Sequence, residues 1–359
     1  MLSCGLIGRP LGGKTTLFNL LTGARRQTSQ FMMSSGQAAQ GIMTVPDERV
    51  GYLSSKFNPK KTIYAQLELV DIPGIDAEAV TAELRNAFLA SIRSVDALIV
   101  VIKAFRDPAN REQEFALISD LEQINIELLL SDLDMIEKRI LRIETGKKKN
   151  DCAQELKILR ELQEVLGNEK RIDQIELAPE DKESIRGYGL LTEKPMIVVV
   201  NIDEQWLASG DYPGSKEFRQ YCQDQQLPLI ELSAQIENEI RELNPEEQLE
   251  FLSDLGIKTS GLSSLARAVY EQLGLISFFT VGEDEVRAWT IEKGMTAKES
   301  AGKIHSDLER GFIRAEVISY EDMQREGSLS KLREKGLLRI EGKEYLVQDG
   351  DIMSIRFNV

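Results

Sequence analysis

Gly8-Arg9-Pro10-Leu11-Gly12-Gly13-Lys14-Thr15 follows the pattern G-x-x-x-x-G-K-[ST] within the first fifteen residues of the chain. The chemistry this spacing serves is phosphate capture. Glycines let main-chain N–H groups close on an anion, the lysine meets the β- and γ-phosphates, and the following hydroxyl can ligate Mg²⁺. Leu2 to Ile7 before the loop reads as a buried strand, and Thr16 to Leu21 after it starts a helical pattern that Gly23 ends. Strand, loop and helix N-terminus together converge on an anion, so a nucleoside polyphosphate is the expected ligand.

Two further groups belong to the same chemistry. Asp71-Ile72-Pro73-Gly74 is D-x-x-G at a predicted strand end, where Asp71 can hold Mg²⁺ through water and the Gly74 N–H can meet a γ-phosphate. Asn201-Ile202-Asp203-Glu204 sits where a base-reading loop belongs. Guanine is commonly read by N/T-K-x-D, whose aspartate accepts two N–H groups. Here Glu204 is longer by one methylene and Ile202 replaces the lysine, while adenine N1, an acceptor, repels a carboxylate. The physics of this loop leaves both ATP and GTP open. The single histidine, His305, has two readings: a structural imidazole, or an RNA phosphate contact shared with Lys303 and Arg314.

The elements that position these groups alternate as βαβ units do. A strand over Thr62 to Val70 leads to Asp71, a helix over Ala82 to Ser94 leads to a strand over Val95 to Ile102, and further strands cover Pro195 to Val200 and Leu229 to Leu232. From about Asn125 the period changes. Leu129, Leu133, Ile136, Ile140 and Ile143 form a heptad seam, Thr145 to Asp151 breaks it, and Cys152, Leu156, Leu159 and Leu166 begin a second helix. That is an antiparallel coiled-coil hairpin, with Lys147-Lys148-Lys149 at its tip. The end of the chain is strand-rich, at Phe278 to Thr280, Val286 to Ile291, Ala315 to Ile318, Glu344 to Val347 and Met353 to Val359, with one helix over Ala297 to Glu309. The expected domains are an α/β nucleotide-binding domain over 1–124 and 193–275, a helical insertion over 125–192, and a small α+β domain over 276–359.

A chain of 359 residues is too long for one ordinary core. No apolar run approaches the roughly 18 residues that span a bilayer, so no membrane association is expected. Cys4, Cys152 and Cys222 are few and far apart, which fits free thiols in a cytoplasmic protein. A net charge of −15 argues against broad, non-specific nucleic-acid binding and leaves a local basic face open.

The whole chain resembles the YchF-type Obg-like ATPase family of P-loop NTPases. The resemblance rests on the phosphate loop, on Asn201-Ile202-Asp203-Glu204 as N-x-x-E, and on Ser233-Ala234 followed by Glu237-Asn238-Glu239-Ile240. It is densest toward the end, in Glu285 to Thr290, Ala301 to Asp307, Gly311 to Val317, Glu341 to Tyr345 and Asp349 to Asp351. The resemblance implies a P-loop G domain with a coiled-coil insertion and a C-terminal TGS domain of β-grasp fold. It also implies ATP hydrolysis, with GTP hydrolysis weaker or comparable, and ribosomes or tRNA-related machinery as partners, a protein partner remaining open. Carried over by position, phosphate contacts fall on Leu11, Gly12, Gly13, Lys14, Thr15 and Thr16, base contacts on Asn201 and Glu204, and Ser233 and Ala234 lie behind the base. Mg²⁺ ligands fall on Thr15 and Asp71 and, where the family has a threonine, on Ser35. The chain departs from the family in that serine, in a switch II without repeated glycines, and in the absence of the family's catalytic histidine between Phe105 and Leu117. No catalytic residue is therefore assigned. A slow nucleotide-driven switch and a non-hydrolysing, nucleotide-gated scaffold are the two functions left.

Overall fold

A computed structural model describes residues 1–24, 38–74, 81–106, 115–146, 152–257 and 259–358. Ser35, most of switch II and the lysine-rich hairpin tip lie outside these residues. The first elements are β1 (Ser3–Ile7), α1 (Lys14–Thr22), β2 (Ala39–Thr44), α2 (Glu48–Phe57), β3 (Lys61–Ile63), β4 (Gln66–Asp71) and α3 (Ala82–Arg93). There follow β5 (Ala97–Ala104), α4 (Leu117–Thr145), α5 (Ala153–Gly167), α6 (Pro179–Ile185), β6 (Met196–Ile202), α7 (Glu204–Leu207), α8 (Ser215–Asp224) and β7 (Leu229–Leu232). The chain continues through α9 (Ala234–Glu242), α10 (Pro245–Asp254), α11 (Gly261–Gln272), β8 (Leu275–Val281), β9 (Glu285–Glu292), α12 (Ala297–Ile304) and α13 (Ser306–Arg310). It closes with β10 (Phe312–Ser319), α14 (Tyr320–Glu326), α15 (Leu329–Glu334), β11 (Arg339–Glu341) and β12 (Asp351–Phe357).

The chain divides into two compact units, one of residues 2–41 and 68–265, the other of residues 42–67 and 266–359 together with Met1. The first is built on a sheet of order β2-β4-β1-β5-β6-β7, with β1 parallel to β4 and β5, and β5, β6 and β7 parallel in turn. Strands buried on both faces need unbroken apolar runs, and β5 (ALIVVIKA) and β6 (MIVVVNI) supply them. The chain leaves β1, builds on one side of it, then crosses to β5 on the other. In open α/β sheets ligands bind beyond the strand C-termini at such a reversal.

In the same unit α4 and α5 pack along the predicted seam: Ile136, Ile143, Leu159 and Leu166 are buried, with Leu133 and Leu156 partly so. Arg139–Glu155, Glu144–Arg160 and Glu137–Gln163 pair across the two helices, and from Glu137–Gln163 to Glu144–Arg160 the chain numbers run in opposite directions, as an antiparallel pair requires. Helix α4 starts at Leu117 and carries a fully buried carboxylate. Asp132 accepts from the N–H groups of Leu191 (3.0 Å) and Thr192 (2.8 Å) and from the Thr192 hydroxyl (2.8 Å), fastening the helix to the segment that re-enters β6.

The second unit holds a sheet of order β11-β10-β12-β8-β9-β3. Here the sequence expectations need correction. The run Thr62 to Val70 is not one strand: Lys61–Ile63 pairs in parallel with β9 of the second sheet, and a new strand begins at Gln66 in the first. Between them the Ala65 carbonyl accepts from the Val45 N–H (2.9 Å) rather than from either ladder. Glu344 to Val347 is not a strand; its main chain bonds to the turn around Met295–Lys298 and makes one isolated bridge, Thr296–Leu346. The strand lies earlier, at Arg339–Glu341. The helix expected over 297–309 is two helices, broken where His305 adopts extended backbone (φ −163°) and caps α13.

Candidate functional site

The turn after β1 is shaped by backbone that only small residues allow. Gly8 (φ +146°) and Gly13 (φ +92°) occupy left-handed regions. A Cβ on Gly8 would stand 2.4 Å from the Val101 carbonyl oxygen, and one on Gly13 2.3 Å from Asn201 Nδ2. Gly12 has room for a side chain, and Leu11 (φ +61°) is exposed. Gly13 caps α1, whose first turn (Lys14, Thr15, Thr16) carries no acidic residue, so its N–H groups and dipole stay available to an anion.

Lys14 folds back over this loop. Its Nζ donates to the carbonyls of Arg9 (2.7 Å) and Gly8 (3.0 Å), two of the three hydrogen bonds an ammonium can make. Burial pushes its pKa down to about 8, against the opposing pull of the nearby Asp71 charge. Gly74 lies against the same group, since a Cβ there would sit 2.6 Å from Lys14 Nζ and 2.7 Å from the Gly8 carbonyl. Asp71, at the end of β4, accepts from the Thr15 hydroxyl at 2.8 Å. The loop, Thr15, Asp71 and Gly74 therefore converge, as their separate motifs required.

Asn201 ties a second loop to the first. It is buried at the end of β6, where its Nδ2 donates to the Gly12 carbonyl (3.3 Å) and its Oδ1 accepts from the Ala234 N–H (3.0 Å). Ser233 and Ala234, at the start of α9, are both buried. Glu204, on the first turn of α7, accepts from Gln235 Nε2 at 3.0 Å and is exposed. Ile202 points into the core with 2% of its surface exposed.

Three neighbours were not singled out in the sequence. Gln235 holds Glu204, Phe105 comes within 3.9 Å of a Cβ position on Gly13, and Arg9 pairs with Asp120 on α4 at 2.6 Å. A guanidinium inside a glycine loop was the one available signal. Lys303, His305 and Arg314 do not gather. His305 Nδ1 accepts from the Asp307 N–H (3.1 Å), beside α12, which packs on the sheet face that buries Ala315 and Val317. Arg314 alternates to the opposite face.

Residues 3–136 match a family model described as "50S ribosome-binding GTPase", and residues 275–358 match the YchF GTPase C-terminal family, described as "Protein of unknown function (DUF933)". The chain is 43% identical over 365 residues to "Ribosome-binding ATPase YchF" of Bacillus subtilis, covering 100% of both chains. It is 39% identical to the protein of that name from Pasteurella multocida, covering 99% of both. The solved structure of the Schizosaccharomyces pombe YchF GTPase superposes with a TM-score of 0.85 at 29% identity, covering 99% of this chain and 97% of that one.

Proposed function

The chain belongs to the YchF family, and on that premise we propose that it binds ATP with Mg²⁺, hydrolyses it slowly, and uses the nucleotide to govern association with the ribosome. The observation that carries this is the Asn201 junction. One buried side chain joins the glycine loop to the loop at Ser233–Ala234, which supports reading the two loops as phosphate cradle and base platform of one site.

In this reading the N–H groups of the loop, Lys14, and the hydroxyls of Thr15 and Thr16 take the phosphates. Gly74 approaches the γ-phosphate end through its contact with Lys14. The donor set suits Mg²⁺. Thr15 Oγ1 and the Asp71 carboxylate are hard oxygen donors 2.8 Å apart, and among the described residues no cluster of three His, Cys, Asp or Glu offers a competing cage. A cation held this way takes its remaining ligands from phosphate oxygens and water, and supplies charge neutralisation. Ser35 is the third protein ligand proposed, from outside the described residues. Asn201 and Glu204 face the base, and Ser233 and Ala234 back it. ATP is preferred on the strength of the N-x-x-E pattern. Among the described residues no helix is long and apolar enough to cross a membrane.

The lost histidine favours the second reading, a scaffold that binds without hydrolysing. Sedimentation with purified 50S subunits, in ATP and in a non-hydrolysable analogue, tests both. Pelleting in either nucleotide but not in its absence supports nucleotide-governed association; equal pelleting in all three conditions contradicts it. Release that follows only ATP separates the switch from the scaffold.

A further inference from the structure

Helices α3 and α4 turn stripes toward each other without closing on them. Leu89 and Arg93 on α3, and Leu130, Asp134, Lys138 and Arg142 on α4, follow at intervals of four, which sets each group along one side of its helix. Between the stripes lies a groove of about 1200 Å³, contained within the first unit. Part of its lining is locked, since Arg139 Nε donates to Glu155 (2.8 Å) and to the Tyr188 hydroxyl (3.0 Å), and that hydroxyl donates to Glu155 in turn. The remainder divides in two along α4. One half is apolar: Leu130 is 51% exposed, Ile126 one turn earlier is 49% exposed, and Leu89 and Met135 are half-buried. The other half is positive. Lys138 holds Asp134 (2.6 Å), while Arg142 has no carboxylate partner among the described residues. Arg85 and Arg93 on α3 pair with Glu127 and Asp132, which do not line the groove. Cations therefore exceed carboxylates here, in a chain of net charge −15.

We propose that this groove docks an acidic amphipathic helix of a ribosomal protein. Two helical walls held apart leave the space that a third helix fills, and such a partner anchors through apolar residues three and four apart. Its apolar side chains meet Leu130, Leu89 and Met135, and its carboxylates meet Lys138 and Arg142 further along. From Leu130 to Arg142 the wall runs about 18 Å, room for roughly three turns of a partner. The division of the groove is what selects a helix over RNA. A phosphodiester backbone carries charge at every nucleotide and would meet the leucines, Asp134 and Glu155 as well as the arginines. A helix can confine its charge to one end. The assignment rests on the ribosome-association reading and gives that association a surface on the helix next in the chain after Asp71–Gly74.

The test uses the full chain and purified 50S subunits. With the photoreactive residue p-benzoylphenylalanine in place of Asn86, an exposed position on the α3 wall, irradiation of the complex is expected to crosslink one ribosomal protein. The crosslinked segment is expected to be helical and rich in Asp and Glu. The double variant Lys138→Gln, Arg142→Gln keeps helix preference and is expected to bind 50S subunits about fivefold more weakly, two charge contacts being lost. Both side chains are exposed, so its ATP affinity is expected to match that of the natural chain. Crosslinking to ribosomal RNA, to a second copy of the chain or to a basic segment would overturn the proposal. So would 50S binding with no crosslink, or undiminished 50S affinity in the double variant. If that variant lost ATP affinity as well, the crosslink alone would decide. If the natural chain bound 50S subunits and the double variant bound them equally, only this groove would fall; if the natural chain bound none, the ribosome reading would fall and the groove with it.

Discussion

Lys14 makes the phosphate site sensitive to pH. An unfolded lysine titrates near 10.5 and this one near 8, so between those values the unfolded chain holds a proton that the folded chain has released. The contribution of Lys14 to stability therefore rises with pH across that window, and below it burial of the cation penalises the fold. A bound polyphosphate restores the charged form. Calorimetry at pH 8.5 in buffers of different ionisation enthalpy should show uptake of about half a proton or more per nucleotide, and at pH 7 almost none; equal values at both pH would contradict the assignment. Gly13→Ala should cost at least about 1–2 kcal/mol from its left-handed backbone alone, with added strain against Asn201, read as a lowered melting temperature and lost nucleotide binding. Gly12→Ala, whose Cβ would meet only the Arg9 and Val101 carbonyl oxygens at van der Waals distance (3.4 and 3.6 Å), should leave the fold unchanged. At the base loop Glu204→Asp should raise GTP affinity relative to ATP. Restoring the lysine of the N/T-K-x-D pattern with Ile202→Lys is unsuitable, because Ile202 is core and a lysine there would be buried unpaired. The motif residues were legible because phosphate chemistry dictates both their types and their spacing. Gln235 and Phe105 were not, because a side chain that braces another carries no spacing rule.

At the scale of elements, strands β5 and β6 and the hairpin seam could be read from periodicity, since burial on two faces or along one stripe leaves a repeating apolar pattern. The origin of β3 could not. Thr62 to Val70 alternates continuously, and alternation says which face a residue takes but not which sheet receives it. The structure sends Lys61–Ile63 to β9, and Arg49 of α2 bridges Asp47 (2.8 Å) and Asp349 (2.7 Å) within the same unit. A chain cut after residue 275 should therefore lose amide protection over residues 48–63 in hydrogen exchange, because β3 loses its partner strand and α2 the sheet beneath it. Retained protection there would show that the segment folds without the C-terminal strands. Asp132 carries the second element-scale expectation. Asp132→Ala strands two buried N–H groups and leaves Arg93, 3.7 Å away, without its counter-charge. A cost of about 3 kcal/mol follows, read as a melting temperature lower by roughly 6–12 °C.

At the scale of the whole molecule the fold is that of the YchF family, while the histidine that the family resemblance leads one to expect is missing from the sequence. The only histidine caps α13 in the C-terminal unit, and no imidazole exists between Phe105 and Leu117 to orient water. Phosphoryl transfer depends on a positioned nucleophile and on charge stabilisation. Unassisted turnover should accordingly be on the order of 10⁻³ s⁻¹ or below, comparable to a small GTPase without its partner. Turnover near 1 s⁻¹ in the purified protein would reveal a catalytic group elsewhere. Every role proposed for the molecule depends first on nucleotide capture at the Gly8–Thr15 loop. Calorimetric titration of ATP with Mg²⁺ into the natural chain and into Lys14→Ala addresses that capture most directly. The natural chain is expected to bind one equivalent, and the variant to show no measurable heat. Binding by Lys14→Ala within threefold of the natural affinity would contradict the phosphate-cradle assignment.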